Sequence, residues 1–305
     1  MALPWSSQDW LTSVAKWIGS QNIEVTGAVK DLHRRQWSAM LKIPTSEGSL
    51  FFKATAPSLT FEAALTQRLT DWCPDQTVEL VAVDEERGWL LMRDSGVTLR
   101  SELARDPSAP SLEGIYRTFA QVQIAAIDHI DELLALGVPD RRLPMVEELG
   151  AKLGVDEKLL HSLVSSAAAI PLPDTLVHEE IHDANVLLRG NEPVFIDWSD
   201  SSIGHPFFGV VVGLRSLSDR LELEPGSPTL ESCVDAYLQP WKRFAPVSNL
   251  RAVFPAAYRL GMLNRAISWQ ETLDDCDYNS KTEHLGYVNA WIAEFTAATN
   301  PLPGT

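Results

Sequence analysis

From Asn185 to Asp197 the chain reads N-V-L-L-R-G-N-E-P-V-F-I-D. Two short apolar runs, 186–188 and 194–196, flank a turn rich in Gly, Asn and Pro, and that pattern specifies a β-hairpin. The hairpin sits in a half of the chain whose other segments repeat apolar residues at helical spacing. It therefore forces a β-rich insert, about 176–198 between Pro173 and Pro206, into a mainly helical region. Folded about Asn191, the hairpin sets Asn185 opposite Asp197 at its open end. An amide oxygen and a carboxylate held by strand geometry suit a hard divalent cation that prefers oxygen ligands. Glu180, five residues before Asn185, is a carboxylate near enough along the chain to take a proton from a hydroxyl.

Ahead of this insert the first 93 residues are patterned differently. A helix over 8–18 precedes strand-like stretches at 21–26 and 37–43, joined through Gly27. The stretch 49–55 alternates, with Leu50, Phe52 and Ala54 on one face and Phe51, Lys53 and Thr55 on the other. After Pro57, residues Phe61, Leu65, Leu69 and Trp72 recur at helical spacing. Strands at 78–83 and 89–92 surround the acidic turn Asp84-Glu85-Glu86. Polar residues 93–96 suit a crossing into a region with helices at 113–127, 145–153, 206–218, 230–244, 255–272 and 283–299. The expected architecture is α+β, with a small antiparallel-sheet lobe at 1–93 and a larger, mainly helical lobe at 94–305.

Composition excludes several classes. The net charge of −16 opposes a phosphate backbone or an anionic lipid surface, because both are bound through clustered Lys and Arg. No nucleic-acid or membrane partner is expected; a small neutral or cationic molecule suits the charge better. The three cysteines, Cys73, Cys233 and Cys276, are odd in number and far apart. They form neither a disulfide framework nor a zinc pattern, which points to the cytoplasm. The N-terminal residues show no signal-peptide pattern, and the longest apolar run, 206–214, is too short to span a bilayer.

The run H-E-E-I-H-D-A-N from His178 to Asn185, followed by F-I-D-W-S-D from Phe195 to Asp200, resembles the aminoglycoside phosphotransferase family of kinase-like enzymes. Their catalytic loop usually reads H-G-D-x-H-x-x-N before a hairpin and I-D-W/F-x-D. The resemblance spans roughly 20–295 and implies a protein-kinase-like two-lobed fold. It also implies an ATP- and Mg²⁺-dependent phosphotransferase acting on a small-molecule hydroxyl. Asn185 and Asp197 would be the Mg²⁺ ligands, Glu180 the catalytic base and His182 a loop-organising residue. Lys53 on its strand resembles the phosphate-gripping lysine, with Glu62 as its ion-pair partner. The strand ending in Met92 and Asp94 resembles the entry to the nucleotide hinge. Metal Asn, metal Asp and an upstream acid are also what kinase phosphoryl transfer asks for chemically.

Three positions depart from the family pattern. Glu180 replaces the usual Asp, moving the carboxylate outward by one methylene; a misplacement of about 1 Å can cost ~100-fold in rate. His205 and Gly209 replace two acids in the run after the metal Asp. The turn between the first two strands has only Gly27 where relatives carry several glycines, with His33, Arg34 and Arg35 nearby. Trp269, Asp274, Asp275 and Asp277, with Glu283 after them, form an acidic, aromatic-edged segment able to attract a cationic substrate.

Plainer readings compete with each assignment. Lys53 and Glu62 could be a surface pair, and Asn185 and Asp197 could stabilise hairpin ends. The acidic segment could be a solvated loop, and the altered catalytic loop could belong to a nucleotide-binding protein without catalysis. His178-Glu179-Glu180-Ile181-His182 also matches H-E-x-x-H, in which two His on one helical face bind Zn²⁺ in a hydrolase.

Overall fold

The computed structural model describes residues 5, 7–108, 110–224, 226–274 and 278–298, with side chains described for all of these except 274 and 278–283. The chain begins with α1 (Gln8–Gly19), opened by the Ser7 hydroxyl, which accepts the Trp10 N–H at 3.1 Å. Five strands follow: β1 (Lys30–Arg34), β2 (Ser38–Thr45), β3 (Gly48–Thr55), then, after α2 (Phe61–Trp72), β4 (Leu80–Asp84) and β5 (Trp89–Arg93). They form one sheet in the order β1-β2-β3-β5-β4, with every pairing antiparallel.

The alternation in β3 decides what each face of this sheet does. Leu50, Phe52 and Ala54 join Leu41, Ile43, Trp89 and Leu91 beneath Val14 and Ile18 of α1. Edge-on aromatic contacts seal this layer: Phe52 and Trp89 lie 5.4 Å apart, and Trp17 and Trp89 5.6 Å. Such pairs add about 0.5–1.5 kcal/mol each beyond area burial. The other face of β3 carries Lys53 towards α2 and the cleft.

Residues 21–26 were expected as a strand and are not one; only an isolated bridge joins Val25 to Thr45. The first strand is the polar segment K-D-L-H-R, exposed along most of its length. It forms because β2 offers an unpaired backbone edge, a cause that leaves no hydrophobic alternation to read. The turn between the first two strands therefore falls at 35–37 rather than near Gly27.

The helical part opens with β6 (Val97–Thr98), α3 (Leu99–Arg105), α4 (Leu112–Ala126), α5 (Ile130–Ala135), β7 (Asp140–Arg141), α6 (Leu143–Lys152) and α7 (Glu157–Ala167). Next come β8 (Thr175–His178), β9 (Val186–Arg189), β10 (Glu192–Phe195) and β11 (Ser201–Gly204). Helices α8 (Val211–Arg220), α9 (Pro228–Trp241), α10 (Val247–Asp274) and α11 (Tyr278–Ala297) complete the chain. Phe119, Phe195, Phe207, Tyr237, Trp241 and Phe254 stand at the centre of the large core. Helix α10 continues through Pro255, the residue the sequence places at its start; eight helical residues precede that proline. Cys73 and Cys233 are buried and unbonded, whereas Cys276 lies outside the described residues. The structure thus has the expected α+β class: an antiparallel N-terminal sheet followed by a helical part.

A smaller cluster joins the two parts. Ala63, Val78, Leu90 and Met92 pack on Val194, with Leu187 and Ile196 beside them, so the β9–β10 hairpin docks under the sheet. The strands are connected through Gly96, whose φ is +118° and where a Cβ would stand 2.2 Å from the Leu188 carbonyl oxygen. Only glycine tolerates both the dihedral and the approach.

Candidate active site

Between the two parts lies a cleft of about 780 Å³ that gathers residues far apart in sequence. On its floor the Lys53 ammonium donates to Glu62 Oε1 at 2.6 Å and to Asp197 Oδ1 at 2.6 Å. Lys53 and Glu62 are 3% and 1% exposed, so this is no surface pair. β3 aims the lysine inward, and the first turn of α2 supplies Glu62, which also accepts the Trp198 N–H at 3.0 Å. Burial works against the ammonium's charge, but Asp197 and Glu62 overcome it and raise Lys53 above its ordinary value. One lysine cannot fully compensate two acids. Burial pushes Glu62 up to about 7 against the pull of Lys53. Asp197, opposed by burial yet held by Lys53 and by Ser199, stays well below the usual carboxylate range. The lasting negative charge of this node therefore resides on Asp197, whose side chain is the more exposed of the two.

The hairpin register differs by one residue from that expected. Val186 pairs with Phe195 and Arg189 with Glu192, so the turn is Gly190-Asn191. Asn185 then faces Ile196, whose N–H donates to the Asn185 carbonyl at 3.0 Å. A one-residue slip would send Asp197 to the opposite face. Asp197 escapes that fate by adopting φ +67° and ψ +64°, a left-handed conformation uncommon outside glycine. Both Asn185 and Asp197 line the cleft. The Asn185 amide donates to the Glu180 carbonyl at 3.0 Å, and Ser199 Oγ donates to Asp197 Oδ1 at 2.9 Å.

Glu180 also lines the cleft. Its Oε1 is held by the guanidinium of Arg265, which reaches Asp200 Oδ1 with its other terminal nitrogen at 3.0 Å. Burial pushes the Glu180 carboxyl up to about 7; Arg265 pulls it down, and Asp200 and Asp197 raise it. Arg265, 3% exposed, was not anticipated. A lone cation in the apolar run 260–267 of α10 was the only available signal. Counting the floor, four carboxylates (Glu62, Asp197, Glu180, Asp200) meet two cations (Lys53, Arg265).

The neighbouring histidines are occupied otherwise than the H-E-x-x-H reading requires. Residues 179–185 form turns after β8 rather than a helix. His178 Nε2 pairs with the Ile196 carbonyl at 2.9 Å and its Nδ1 accepts the Glu180 N–H at 3.2 Å. Burial lowers its pKa to about 4, so the ring is neutral and ties the loop to the hairpin. His182 Nδ1 accepts the Ala184 N–H at 3.1 Å. Among the described residues no group of three or more His, Cys, Asp or Glu side chains could hold a metal ion. His205, which accepts the Phe207 N–H at 3.2 Å, is likewise held neutral, its pKa lowered to about 3 by burial.

Met92 and Asp94 line the cleft where the chain crosses from β5 to β6, with Phe51, Leu90 and Leu187 adding apolar surface. Asp94 Oδ1 accepts the Gly96 N–H at 3.2 Å and braces the crossing. On the opposite side Trp269, His284 and Tyr287 line the wall. Trp269 stacks on Tyr287 at 4.9 Å, and the Arg265 guanidinium lies 5.1 Å from its ring centroid. Of the expected acidic wall, Asp275 and Asp277 lie outside the described residues, as do the side chains of Asp274 and Glu283. His33, Arg35, Trp37 and Ser38 roof the cleft from the β1–β2 turn.

A model of the phosphotransferase enzyme family matches residues 29–247. No curated protein matches the chain in sequence. Among solved structures, Plasmodium vivax ethanolamine kinase superposes with a TM-score of 0.64 at 10% identity, covering 89% of this chain and 82% of that one. A macrolide 2′-phosphotransferase type I gives 0.61 at 12% identity over 95% and 97%. Amicoumacin kinase, in complex with AMP-PNP, Ca²⁺ and Ami, gives 0.60 at 9% over 98% of each chain. At these identities the superpositions speak for a shared kinase-like fold.

Proposed function

The chain belongs to the phosphotransferase enzyme family, and from that premise we propose that it transfers a phosphoryl group from Mg²⁺-ATP to a hydroxyl of a small molecule in the cytoplasm. The observation that carries this reading is the Lys53 node. An ammonium buried at the cleft floor, 2.6 Å from carboxylates 9 and 144 residues away in sequence, is what gripping nucleotide phosphates demands.

The site suits a divalent cation on its own chemistry. Lys53 and Ser199 both use Asp197 Oδ1, leaving Oδ2 without a protein donor among the described residues. Asn185 commits its amide nitrogen to Glu180, so its remaining polar atom is the oxygen, a hard ligand. The floor's surplus of carboxylates also favours added positive charge. Mg²⁺ held by Asp197 and Asn185 would supply charge neutralisation on the phosphate oxygens.

Within this reading residues 1–93 form the nucleotide-covering lobe and 94–305 the catalytic lobe. Lys53, held by Glu62, binds the α/β-phosphates, and Met92 and Asp94 border the base. Glu180 orients the acceptor hydroxyl and takes its proton on Oε2, since Oε1 is engaged by Arg265. A carboxyl raised to about 7 is a better-matched base at neutral pH than an ordinary carboxylate. Substrate lies against Trp269, with Asp274, Asp275 and Asp277 following it in sequence, which favours a cationic acceptor.

The test is product formation. With Mg²⁺-ATP and a panel of aminoglycosides, choline, sugars and homoserine, ADP release should depend on one acceptor class, and that acceptor should gain phosphate. Stimulation by neutral sugars alone would contradict the cationic preference. One observation favours a second reading, nucleotide binding without transfer: Arg265 already occupies Glu180. ATP binding with no turnover in either the native protein or Glu180→Asp would establish that alternative instead.

A further inference from the structure

The roof of the cleft departs from what a phosphate-covering turn ordinarily provides. Such turns are built from glycine so that backbone N–H groups can approach phosphate oxygens. Residues 30–45 contain no glycine at all. The turn is Arg35-Gln36-Trp37, and the Arg35 N–H is already committed to the Ser38 carbonyl at 2.7 Å.

The turn is nevertheless firmly placed. Trp5, only 2% exposed, donates its indole N–H to the Arg35 carbonyl at 2.8 Å and accepts from Arg34 Nη1 at 2.6 Å. On the other side Trp37 stands edge-on to Trp269 of α10, ring centroids 5.9 Å apart, and to His284 of α11 at 5.4 Å. The backbone carrying Arg35 is thus anchored both to the sheet and across the cleft.

Four arginines line this cleft in addition to Lys53. Arg93 is bound to Glu79 and Glu47, Arg100 to Asp183, and Arg265 to Glu180 and Asp200. Arg35 alone of the four has no carboxylate partner among the described residues. In a chain with 41 acidic and 25 basic residues, an unpaired guanidinium facing a cleft calls for a ligand. Arg35 and Lys53 both act on the His33 imidazole, which lines the same cleft: burial first, then these two cations, lower its pKa, while Asp197 and Asp31 raise it.

We infer that Arg35 grips the terminal phosphates of the bound nucleotide from above, its side chain replacing the backbone amides of a glycine turn while Lys53 holds them from below. The inference rests on the proposal that the cleft binds Mg²⁺-ATP. A guanidinium suits the task, since its planar fork can serve two phosphate oxygens at once. Arg35 is exposed and makes no ion pair among the described residues, and its guanidinium lies 5.8 Å from the Trp37 ring centroid, so replacing it removes the ligand contact and a weak cation–π contact.

The test is calorimetric titration of the native protein, Arg35→Gln and Arg35→Lys with AMP-PNP plus Mg²⁺ and with adenosine, alongside melting temperatures. Arg35→Gln should weaken AMP-PNP about tenfold or more, the value of a hydrogen bond to a charged group. Adenosine affinity and the melting temperature should stay unchanged, and Arg35→Lys should recover part of the loss. Unchanged AMP-PNP affinity in Arg35→Gln, or an equal loss for adenosine, would overturn the inference while leaving nucleotide binding intact. A native protein that binds no AMP-PNP would remove the nucleotide proposal and this inference together.

Discussion

Replacing Lys53 with methionine is the most informative single perturbation. Lys53 is 3% exposed and bridges Glu62 and Asp197 at 2.6 Å each, so methionine preserves the bulk and deletes the only cation between two acids. Breaking a buried ion pair from one side costs about 3–5 kcal/mol. Water reaches the Asp197 side chain, 38% exposed, which argues for the lower end, about 3 kcal/mol. With an unfolding entropy near 2.1 cal/mol/K per residue, that loss lowers Tm by roughly 5 °C in a chain of this length.

The penalty has a definite pH dependence. Even with Lys53 present, burial raises Glu62 from 4.5 to about 7; without it the carboxyl rises further. A carboxyl raised in the folded state binds a proton that the unfolded chain has released, so stability falls as pH rises from the unfolded value through the folded one. The difference in Tm between native and variant should therefore be present already near pH 5, where Asp197 has lost its counter-ion, and largest near pH 8, where Glu62 ionises as well, measured by calorimetry in EDTA without nucleotide. AMP-PNP affinity at neutral pH should fall ten- to hundredfold. A Tm difference independent of pH, or absent, would refute the reasoning that Lys53 stands between two buried acids.

Two further substitutions probe the hinge and the loop. Glu180→Gln should lower kcat by about 10²- to 10⁴-fold while nucleotide affinity, read by titration, remains near native; an unchanged kcat would remove Glu180 from the chemistry. Gly96→Ala adds a Cβ 2.2 Å from the Leu188 carbonyl oxygen at φ +118°, and should destabilise the protein by at least ~2 kcal/mol in denaturant unfolding. An alanine variant as stable as the native chain would mean that this crossing is not locked as described.

Much of this arrangement is legible in the sequence, and the exceptions have physical causes. Alternation along β3 correctly separated Phe52, packed under α1, from Lys53, turned to the cleft. Helical spacing found α2, while Glu62 at its start was singled out by the family resemblance. The hairpin appeared because two apolar runs and a Gly-Asn turn are strong local signals. Its register did not, since pairing depends on whether Gly190 or Asn191 centres the turn and on the left-handed twist at Asp197. β1 was misplaced because an exposed polar edge strand is specified by its neighbour's backbone rather than by its own sequence. That error displaced the roof turn and hid the places of Arg35 and Trp37. Arg265 escaped notice for a different reason: its two carboxylate partners lie 85 and 65 residues away, and nothing local in α10 announces them.

A crystal structure with AMP-PNP and Mn²⁺, read by anomalous scattering at the manganese edge, tests the central claim most directly. The account predicts a manganese peak ligated by Asp197 and Asn185, with triphosphate oxygens completing its shell and Lys53 against the α/β-phosphates. A nucleotide bound elsewhere, or a metal peak that touches neither Asp197 nor Asn185, would contradict it.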